Sequence, residues 1–181
     1  MPSSAVSAAP VAPRMHDIAP FYVMEIQRRA FELDAAGRNV VHCEIGQPDF
    51  GAPPSVVAAA AEIMARDPLG YTGALGLPSL REAIARWYRE RHAVAIAPEQ
   101  VVVTAGASGA FLIAIGSLIG PGDEVLMPDP CYPCNRHFVR MFEGVARTIP
   151  AGPEQRYQLT LADVQKHWGP RTKAVLLATP S

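Results

Sequence analysis

The chain has 181 residues, of which 49% are hydrophobic and 18% are charged, with a formal net charge of −1. This balance predicts a folded globular protein, and the lack of clustered Lys and Arg excludes nucleic acid or an anionic membrane surface as its main partner. The longest apolar stretch, Ala110 to Ile119, is interrupted by Gly116 and Ser117 and is far shorter than the roughly 20 residues of a membrane helix. Three cysteines without disulfide-like spacing favour a cytoplasmic location.

The N-terminal part of the chain is predicted to contain a tail and a short segment of helix and strand. Residues 1–14 are small and rich in Pro, which indicates a disordered tail. Residues 15–53 are expected to form an N-terminal segment that is part of a small domain or arm. Within it, the apolar spacing predicts a helix from Phe21 to Ala36 that stops at Gly37, followed by a strand at residues 40–45.

Residues 54–181 are predicted to form a larger α/β domain. Its first two helices begin at Pro54 and Pro78, and its last helix begins after Thr160, where Asp163 completes a weak capping box. Strands that alternate with helices are predicted at residues 100–103, 124–127, 145–149 and 173–178. This alternation predicts a three-layer α/β fold with a mostly parallel sheet. A chain that ends on a buried strand is expected to be truncated, and this piece alone is expected to be poorly soluble.

A turn between a strand and a helix, at residues 104–110, is the first candidate site. Helix N-termini present unpartnered N–H groups and the positive end of a dipole, and small residues let the backbone approach a phosphate. The turn lacks the lysine of a P-loop and the third glycine of a dinucleotide-binding loop. By itself, the pattern is as typical of a plain tight turn as of a ligand site.

Three further candidates are equally ambiguous when each is considered alone. Tyr132 follows a predicted strand at the end where open α/β sheets bind ligands, but a packed residue at a helix start is also expected there. Gly46 lies in a turn, where glycine often serves the backbone angle rather than a ligand. Tyr71 lies in a loop with three glycines, and it is either functional or an exposed loop aromatic.

The motifs become specific when they are read in order along the chain. Their order is G-Q-P-D-F, G-Y-T-G, L-R-E-A-I-A, V-T-A-G-A-S, P-G-D-E-V-L, D-P-C-Y-P and A-T-P-S. Over residues 15–181 this order resembles the class I/II aminotransferases, which are aspartate aminotransferase-like, fold-type I pyridoxal phosphate enzymes. The resemblance implies the incomplete large domain of a pyridoxal-phosphate-dependent transferase, because in that family A-T-P-S is followed by Asn-Pro-Thr-Gly.

The resemblance implies roles for individual residues toward pyridoxal 5'-phosphate. Gly106, Ala107 and Ser108 match the turn whose backbone and hydroxyl hold the cofactor phosphate. Tyr132 matches the aromatic residue that stacks on the pyridine ring. Tyr71 matches a tyrosine that reaches the phosphate of the neighbouring subunit, which implies a homodimer.

The resemblance also implies what the full-length protein does. It would transfer an amino group between an amino acid and a 2-oxo acid; the alternatives are another fold-type I activity, such as a lyase or a cyclopropane-forming synthase, or a non-catalytic fragment. Gly46 matches a glycine beside the substrate carboxylate, and the Asp129-Pro130 bond matches a position that is often cis. The family's Schiff-base lysine is expected downstream, and Lys166 and Lys173 are interpreted as surface charges. No catalytic residue is therefore expected in this chain, which alone is predicted to be inactive.

Two other patterns are interpreted as structural. Cys131 and Cys134 have the spacing of a redox or zinc motif, but two further zinc ligands are not evident in the sequence, and no metal site is predicted. The helix that begins at Pro78 is predicted to have a solvated charged face, made of Arg81, Arg86, Arg89 and Arg91 with Glu82 and Glu90.

Overall fold

The computed structural model describes residues 10–179, and its contacts divide the chain into two units. The sheet unit consists of the residues up to Glu25 and the chain from Phe111 onward, and the helical unit is Ile26–Ala110. Most of the predicted tail lies outside the described residues, and its last two residues already belong to a 3₁₀ helix, Pro13–Asp17. The predicted domain boundaries at residues 15 and 54 remain predictions.

Three parallel strands form the sheet of the sheet unit. They are β1 (Glu124–Asp129), β2 (Val145–Pro150) and β3 (Thr172–Val175), in the spatial order β2-β1-β3. Central strand β1 is almost completely buried, as the continuous apolar run of a parallel strand requires. The fold class is therefore α/β with a parallel sheet, as the sequence predicted.

Helices supply the crossovers between these strands. Helix α5 (Cys134–Met141) joins β1 to β2, and α6 (Leu161–His167) joins β2 to β3; parallel strands need such connections. Helix α4 (Gly106–Leu118) leads into β1. The core of the unit is built from α4 and the residue after it, from β1 and α5, and from the residue after β3. Its buried members are Ile115, Ile119, Val125, Met127, Val139 and Leu176.

One buried carboxylate joins all three strands at the start of β1. Only 8% of the Glu124 side chain is exposed, and its oxygens lie 2.9 Å from the Arg171 guanidinium and 3.8 Å from that of Arg147. Arg147 belongs to β2, and Arg171 directly precedes β3. Both partners keep this carboxylate compensated in a place where an unpaired charge is costly.

The helical unit contains α2 (Pro54–Arg66), α3 (Pro78–His92) and most of α1 (Tyr22–Ala35). Proline supplies the first residue of both α2 and α3, where its missing N–H costs nothing. Gly37 follows α1 with a φ of +81°, which confirms the predicted glycine stop. Within residues 10–179, none of the helices is long and apolar enough to cross a bilayer.

Two predicted strands are wrong. Residues 40–45 and 100–103 carry strand-like sequences, but neither segment forms a ladder with another strand among the described residues. Strand propensity describes a fit to a pleated sheet and gives no structure without a neighbouring strand. Residues 98–100 instead form a 3₁₀ turn, and the Val103 N–H donates to the Leu75 carbonyl oxygen at 3.1 Å.

Arg81 also differs from the predicted solvated face of α3. Its Nε lies 3.0 Å from the Pro98 carbonyl oxygen and 3.2 Å from that of Val101, and the side chain is partly buried. The guanidinium thus ties α3 to the segment that precedes the turn at residues 104–110. The charge of Arg81 predicted a surface residue. The sequence does not show which backbone carbonyl oxygens lack a donor in the folded chain, so this partner could not be predicted.

Candidate functional site

The turn before α4 is held by two short contacts within residues 104–106. The Gly106 N–H donates to the Thr104 carbonyl oxygen at 2.9 Å, and the Thr104 hydroxyl donates to the Gly106 carbonyl oxygen at 2.8 Å. Gly106 has a φ of +70°, a left-handed conformation that glycine adopts without strain. Gly106 therefore shapes the turn, and its own N–H is already used.

The first turn of α4 leaves donors available for a ligand. The N–H groups of Ala107 and Ser108 come too early in the helix to have an intrahelical acceptor. Both residues are exposed, and the Ser108 hydroxyl adds a third donor. No acidic residue lies in this turn. Since helix N-termini also favour negative charge, this turn can bind a phosphate.

Tyr132 lies in the sheet unit, three residues beyond the carboxyl end of β1. The Asp129-Pro130 bond before it is cis, as expected. Tyr132 is 53% exposed, and Phe21 packs edge-on against its ring with the ring centroids 5.7 Å apart. A hydrogen bond with Cys134, together with partial burial, raises the pKa of the Tyr132 phenol.

A surface hollow of about 300 Å³ lies beside Tyr132 and is lined also by Pro130, Cys131 and Tyr157. It lies at the end of β1 where parallel sheets bind ligands. Tyr157 was not predicted as a site residue, since it belongs to no motif. It reaches the hollow through a turn in which Arg156 and Tyr157 have positive φ. The hollow leaves an aromatic face open to a flat ligand.

Tyr71 and Gly46 lie on loops of the helical unit. Tyr71 is fully exposed, so its side chain is free to reach beyond its own chain. Gly46 is the centre of a three-residue turn in which the Gln47 N–H donates to the Ile45 carbonyl oxygen at 2.9 Å. Its φ lies outside the left-handed range, and an added Cβ would meet nothing within 4 Å. Neither backbone angle nor space explains glycine at this position.

A group of three polar side chains next to Gly46 was missed by the sequence reasoning. His42 Nε2 lies 2.7 Å from Asp34 Oδ2, and His42 Nδ1 lies 2.8 Å from Glu44 Oε1. These carboxylates raise the pKa of His42, and the bonds to His42 lower the pKa of each carboxyl group. In an extended segment, residues 42 and 44 lie on the same side. This spacing could have revealed the contact between His42 and Glu44.

The structure brings some of the predicted residues together and places others separately. Gly106, Ala107 and Ser108 share one turn of α4, whereas Tyr71 and Gly46 lie on two other loops of the helical unit, and Tyr132 belongs to the sheet unit. The two lysines, Lys166 of α6 and Lys173 of β3, are exposed as predicted.

The parallel sheet of the sheet unit leaves an aromatic face open at its carboxyl end, and the start of α4 separately offers free donors for an anion; each is a ligand-binding feature typical of an α/β protein. The family model described as "Aminotransferase class I and II" matches residues 38–181. The chain belongs to this family, whose members depend on pyridoxal phosphate.

The chain is similar in sequence to the valine–pyruvate aminotransferase of Mycobacterium tuberculosis, with 40% identity over 91% of this chain and 42% of that protein. It is also similar to the (5-formylfuran-3-yl)methyl phosphate transaminase of Methanocaldococcus jannaschii, with 32% identity over 93% of this chain and 43% of that protein. Both are aminotransferases by name, and they differ in the substrate named.

Solved structures agree with this membership. A crystal structure of an aminotransferase from Mycobacterium tuberculosis superposes with a TM-score of 0.88 at 39% identity, over 95% of this chain and 44% of that chain. The aspartate aminotransferase of Thermus thermophilus with maleate gives a TM-score of 0.90 at 29% identity, over 96% and 45%. The fold is thus that of the aspartate aminotransferase-like enzymes, and this chain spans less than half the length of each protein named.

The residues present fit the family's cofactor. The small, exposed first turn of α4 offers backbone and hydroxyl donors for a phosphate, and the half-exposed ring of Tyr132 offers a face for a heterocycle. An aromatic side chain and a preorganised helix start are groups that hold such a cofactor without taking part in its chemistry.

Proposed function

We propose that the full-length protein is a pyridoxal-phosphate-dependent aminotransferase that transfers an amino group between an amino acid and a 2-oxo acid. The observation that carries this proposal is the first turn of α4, with its free donors and left-handed Gly106, in a chain whose residues 38–181 match the family. The names of the relatives support amino-group transfer and differ in the substrate. The substrate class is therefore proposed no more narrowly than amino acids and 2-oxo acids.

Each predicted site residue has a separate role in this proposal. Ala107 and Ser108 donate hydrogen bonds to the cofactor phosphate, and Gly106 gives the turn the shape that presents these donors. Tyr132 packs its ring against the pyridine ring and excludes water from that face. Gly46 lies beside the substrate carboxylate, a role that the chain's own packing leaves open, since an added Cβ would meet nothing within 4 Å. When bound, the cofactor supplies the electron sink that amino transfer requires.

A cytoplasmic homodimer completes the proposal. The three cysteines are free, which supports a reducing compartment. The full exposure of Tyr71 in the single chain supports a role at the cofactor phosphate of a neighbouring subunit. The phenolic hydroxyl is a donor that suits a phosphate oxygen.

The proposal is tested with the protein expressed from its complete gene. We expect transfer of an amino group from at least one natural amino acid to pyruvate or 2-oxoglutarate, measured by chromatography of the product amino acid. Ser108→Ala is expected to raise the Kd for pyridoxal phosphate about tenfold or more, since a hydrogen bond to a charged group is lost. Equilibrium dialysis measures this Kd.

Ser117→Ala is the matched control for that variant. Ser117 lies on the same helix, and its hydroxyl donates to the Ile113 carbonyl oxygen at 2.7 Å, so the same substitution leaves the first turn intact. Its Kd for pyridoxal phosphate should equal that of the wild type. No amino transfer from any of the natural amino acids, or an equal loss of affinity in both variants, would refute the proposal.

A further inference from the structure

His42 forms a bridge between α1 and the segment that leads to Gly46. Its Nε2 bonds to Asp34 near the end of α1, and its Nδ1 bonds to Glu44, two residues before Gly46. The second oxygen of the Asp34 carboxylate accepts the Val40 N–H at 3.2 Å, at the beginning of the same segment. Three hydrogen bonds thus fix a segment that belongs to no sheet ladder in the described part of the chain.

The surroundings of His42 favour its charged form. Asp34 faces it from α1 and Glu44 from its own segment, and the Glu44 side chain is only 10% exposed. The Phe31 ring of α1 lies 5.3 Å from the imidazole, between ring centroids, a distance at which an aromatic face also attracts a cation. A cavity of about 340 Å³ lies next to these groups, and Asp49 is a further titratable residue in its lining.

We propose that Asp34, His42 and Glu44 form a pH-dependent clamp that positions Gly46 for the carboxylate of the amino acid substrate. The term clamp denotes these three residues. The proposal rests on the proposed aminotransferase function, because that function is what gives Gly46 a substrate. The three residues of the clamp are positioning residues, since they act on Gly46 through the turn at residues 45–47.

The clamp depends on the number of protons that His42 carries. An imidazolium has two N–H donors and bonds to both carboxylates, whereas a neutral imidazole has a single donor and one ring nitrogen that repels a carboxylate oxygen. Glu44 is the less exposed carboxylate, so losing its donor is the more costly loss. The neutral ring therefore keeps its proton on Nδ1, and the bond from Nε2 to Asp34 is lost.

The pKa shifts define the pH range over which the clamp is complete. The pKa of His42 is raised by its two carboxylate partners, so its contribution is fully present below the ordinary histidine pKa of about 6.5 and is lost as the pH rises through the raised value. The pKa values of Asp34 and Glu44 are lowered, chiefly by the bond to His42. Their contributions are present above ordinary carboxyl values and are lost as the pH falls through the lowered values.

The first test uses the cofactor-free, full-length protein and needs no activity. The protein is labelled with ¹⁵N-glycine, and the Gly46 amide signal, assigned with Gly46→Ala, is followed from about pH 6 to 9. We expect this signal to titrate with the same midpoint as the His42 ring and to lose its titration in His42→Gln. His16→Gln, a change in an exposed residue of the 3₁₀ helix in the other unit, should leave the titration unchanged.

A second variant keeps the test informative if His42→Gln does not fold. Asp34→Asn removes one carboxylate charge and retains the imidazole, so both the His42 midpoint and the Gly46 transition should move to lower pH. A Gly46 signal that does not titrate in the wild type, or that titrates unchanged in Asp34→Asn, would overturn the clamp.

The second test is kinetic and separates the clamp from the proposed function. In the wild type, the KM for the amino acid should rise about three- to tenfold between pH values below and above the His42 midpoint, the range that corresponds to one ordinary hydrogen bond. His42→Gln should have the higher KM at both pH values and an unchanged kcat, since only positioning is affected. Wild-type transfer with the same KM dependence in both proteins contradicts the clamp. A complete absence of amino transfer would contradict the proposed function. The clamp would still be tested by the Gly46 titration, which needs no activity.

Discussion

Gly76 lies where the loop that carries Tyr71 meets the segment leading into α4. The Val103 N–H donates to the Leu75 carbonyl oxygen at 3.1 Å, so the two segments are joined at this point. A Cβ added at Gly76 would lie 2.7 Å from both Cβ and Cγ2 of Val103, and the φ of Gly76 is +94°. Both the lack of space and the backbone angle therefore require glycine.

Gly76→Ala is expected to lower the free energy of unfolding by about 2 kcal/mol, because the new methyl group strains the backbone and displaces Val103. Thermal unfolding of the full-length protein measures the effect. Gly73→Ala is the matched control in the same loop, since Gly73 has no left-handed φ and open space around it. Equal unfolding temperatures for the two variants would show that the approach to Val103 is not tight.

Individual residues of the candidate site differ in how far the sequence could predict them. Ser108 and Tyr132 were predicted as site residues because ordered motifs around them resemble a family, and they lie at a helix start and beyond a strand. The partnership of His42 with Asp34 could not be predicted, because the two residues meet only when the chain folds back after Gly37. Hydrogen bonds across a turn depend on the chain path, which local patterns do not contain.

At the scale of elements, α6 is a short helix that depends on its N-cap. The Asp163 N–H donates to the Thr160 hydroxyl oxygen at 3.2 Å, and the Thr160 N–H donates to the Asp163 carboxylate at 2.9 Å. This reciprocal pair is the capping box that the sequence predicted. The bonds from Thr160 also lower the pKa of the Asp163 carboxyl group.

Thr160→Val is expected to destabilise the protein by about 1 kcal/mol, since it leaves the first turn of α6 without its hydroxyl acceptor. Asp163→Asn removes the charged partner, and the double variant should lose less than the sum of the two single losses. Urea unfolding at pH 7 measures all four proteins. Additive losses would mean that the two side chains do not act as a pair.

Helices were predicted more successfully than strands, and the reason lies in where each element finds its hydrogen bonds. A helix satisfies its backbone within itself, so Pro54, Pro78 and Gly37 mark helix boundaries in the sequence. A strand needs a neighbour, and residues 40–45 and 100–103 show none among the described residues. Strands β1, β2 and β3 were predicted correctly because alternation with helices brings them beside one another.

For the whole molecule, the proposed homodimer has a consequence that a mixed dimer reveals. One chain carries Tyr71→Phe and the other Ser108→Ala, and the two are purified together through different tags. If Tyr71 acts on the neighbouring subunit, one cofactor site receives both changes and the other receives neither. Half of the sites should then bind pyridoxal phosphate with wild-type affinity, and the other half at least about tenfold more weakly.

Equilibrium dialysis of the mixed dimer distinguishes the possible arrangements. Each uniform variant dimer serves as a control and should show a single, weakened class of sites. If Tyr71 acted within its own chain, every site of the mixed dimer would carry one change, and no site would retain wild-type affinity. That result would show that Tyr71 does not act at the cofactor site of the neighbouring subunit.

Glu124 has a consequence for how the sheet reaches its native alignment. A slide of β2 or β3 by two residues along β1 would keep each side chain on its own face, so the burial of apolar groups opposes it only weakly. The same slide would carry Arg147 or Arg171 about 7 Å away from the Glu124 carboxylate. Because only 8% of the Glu124 side chain is exposed, its charge would then lose a partner that water cannot replace. The ion pairs of Glu124 thus favour one register of three strands that are far apart along the chain.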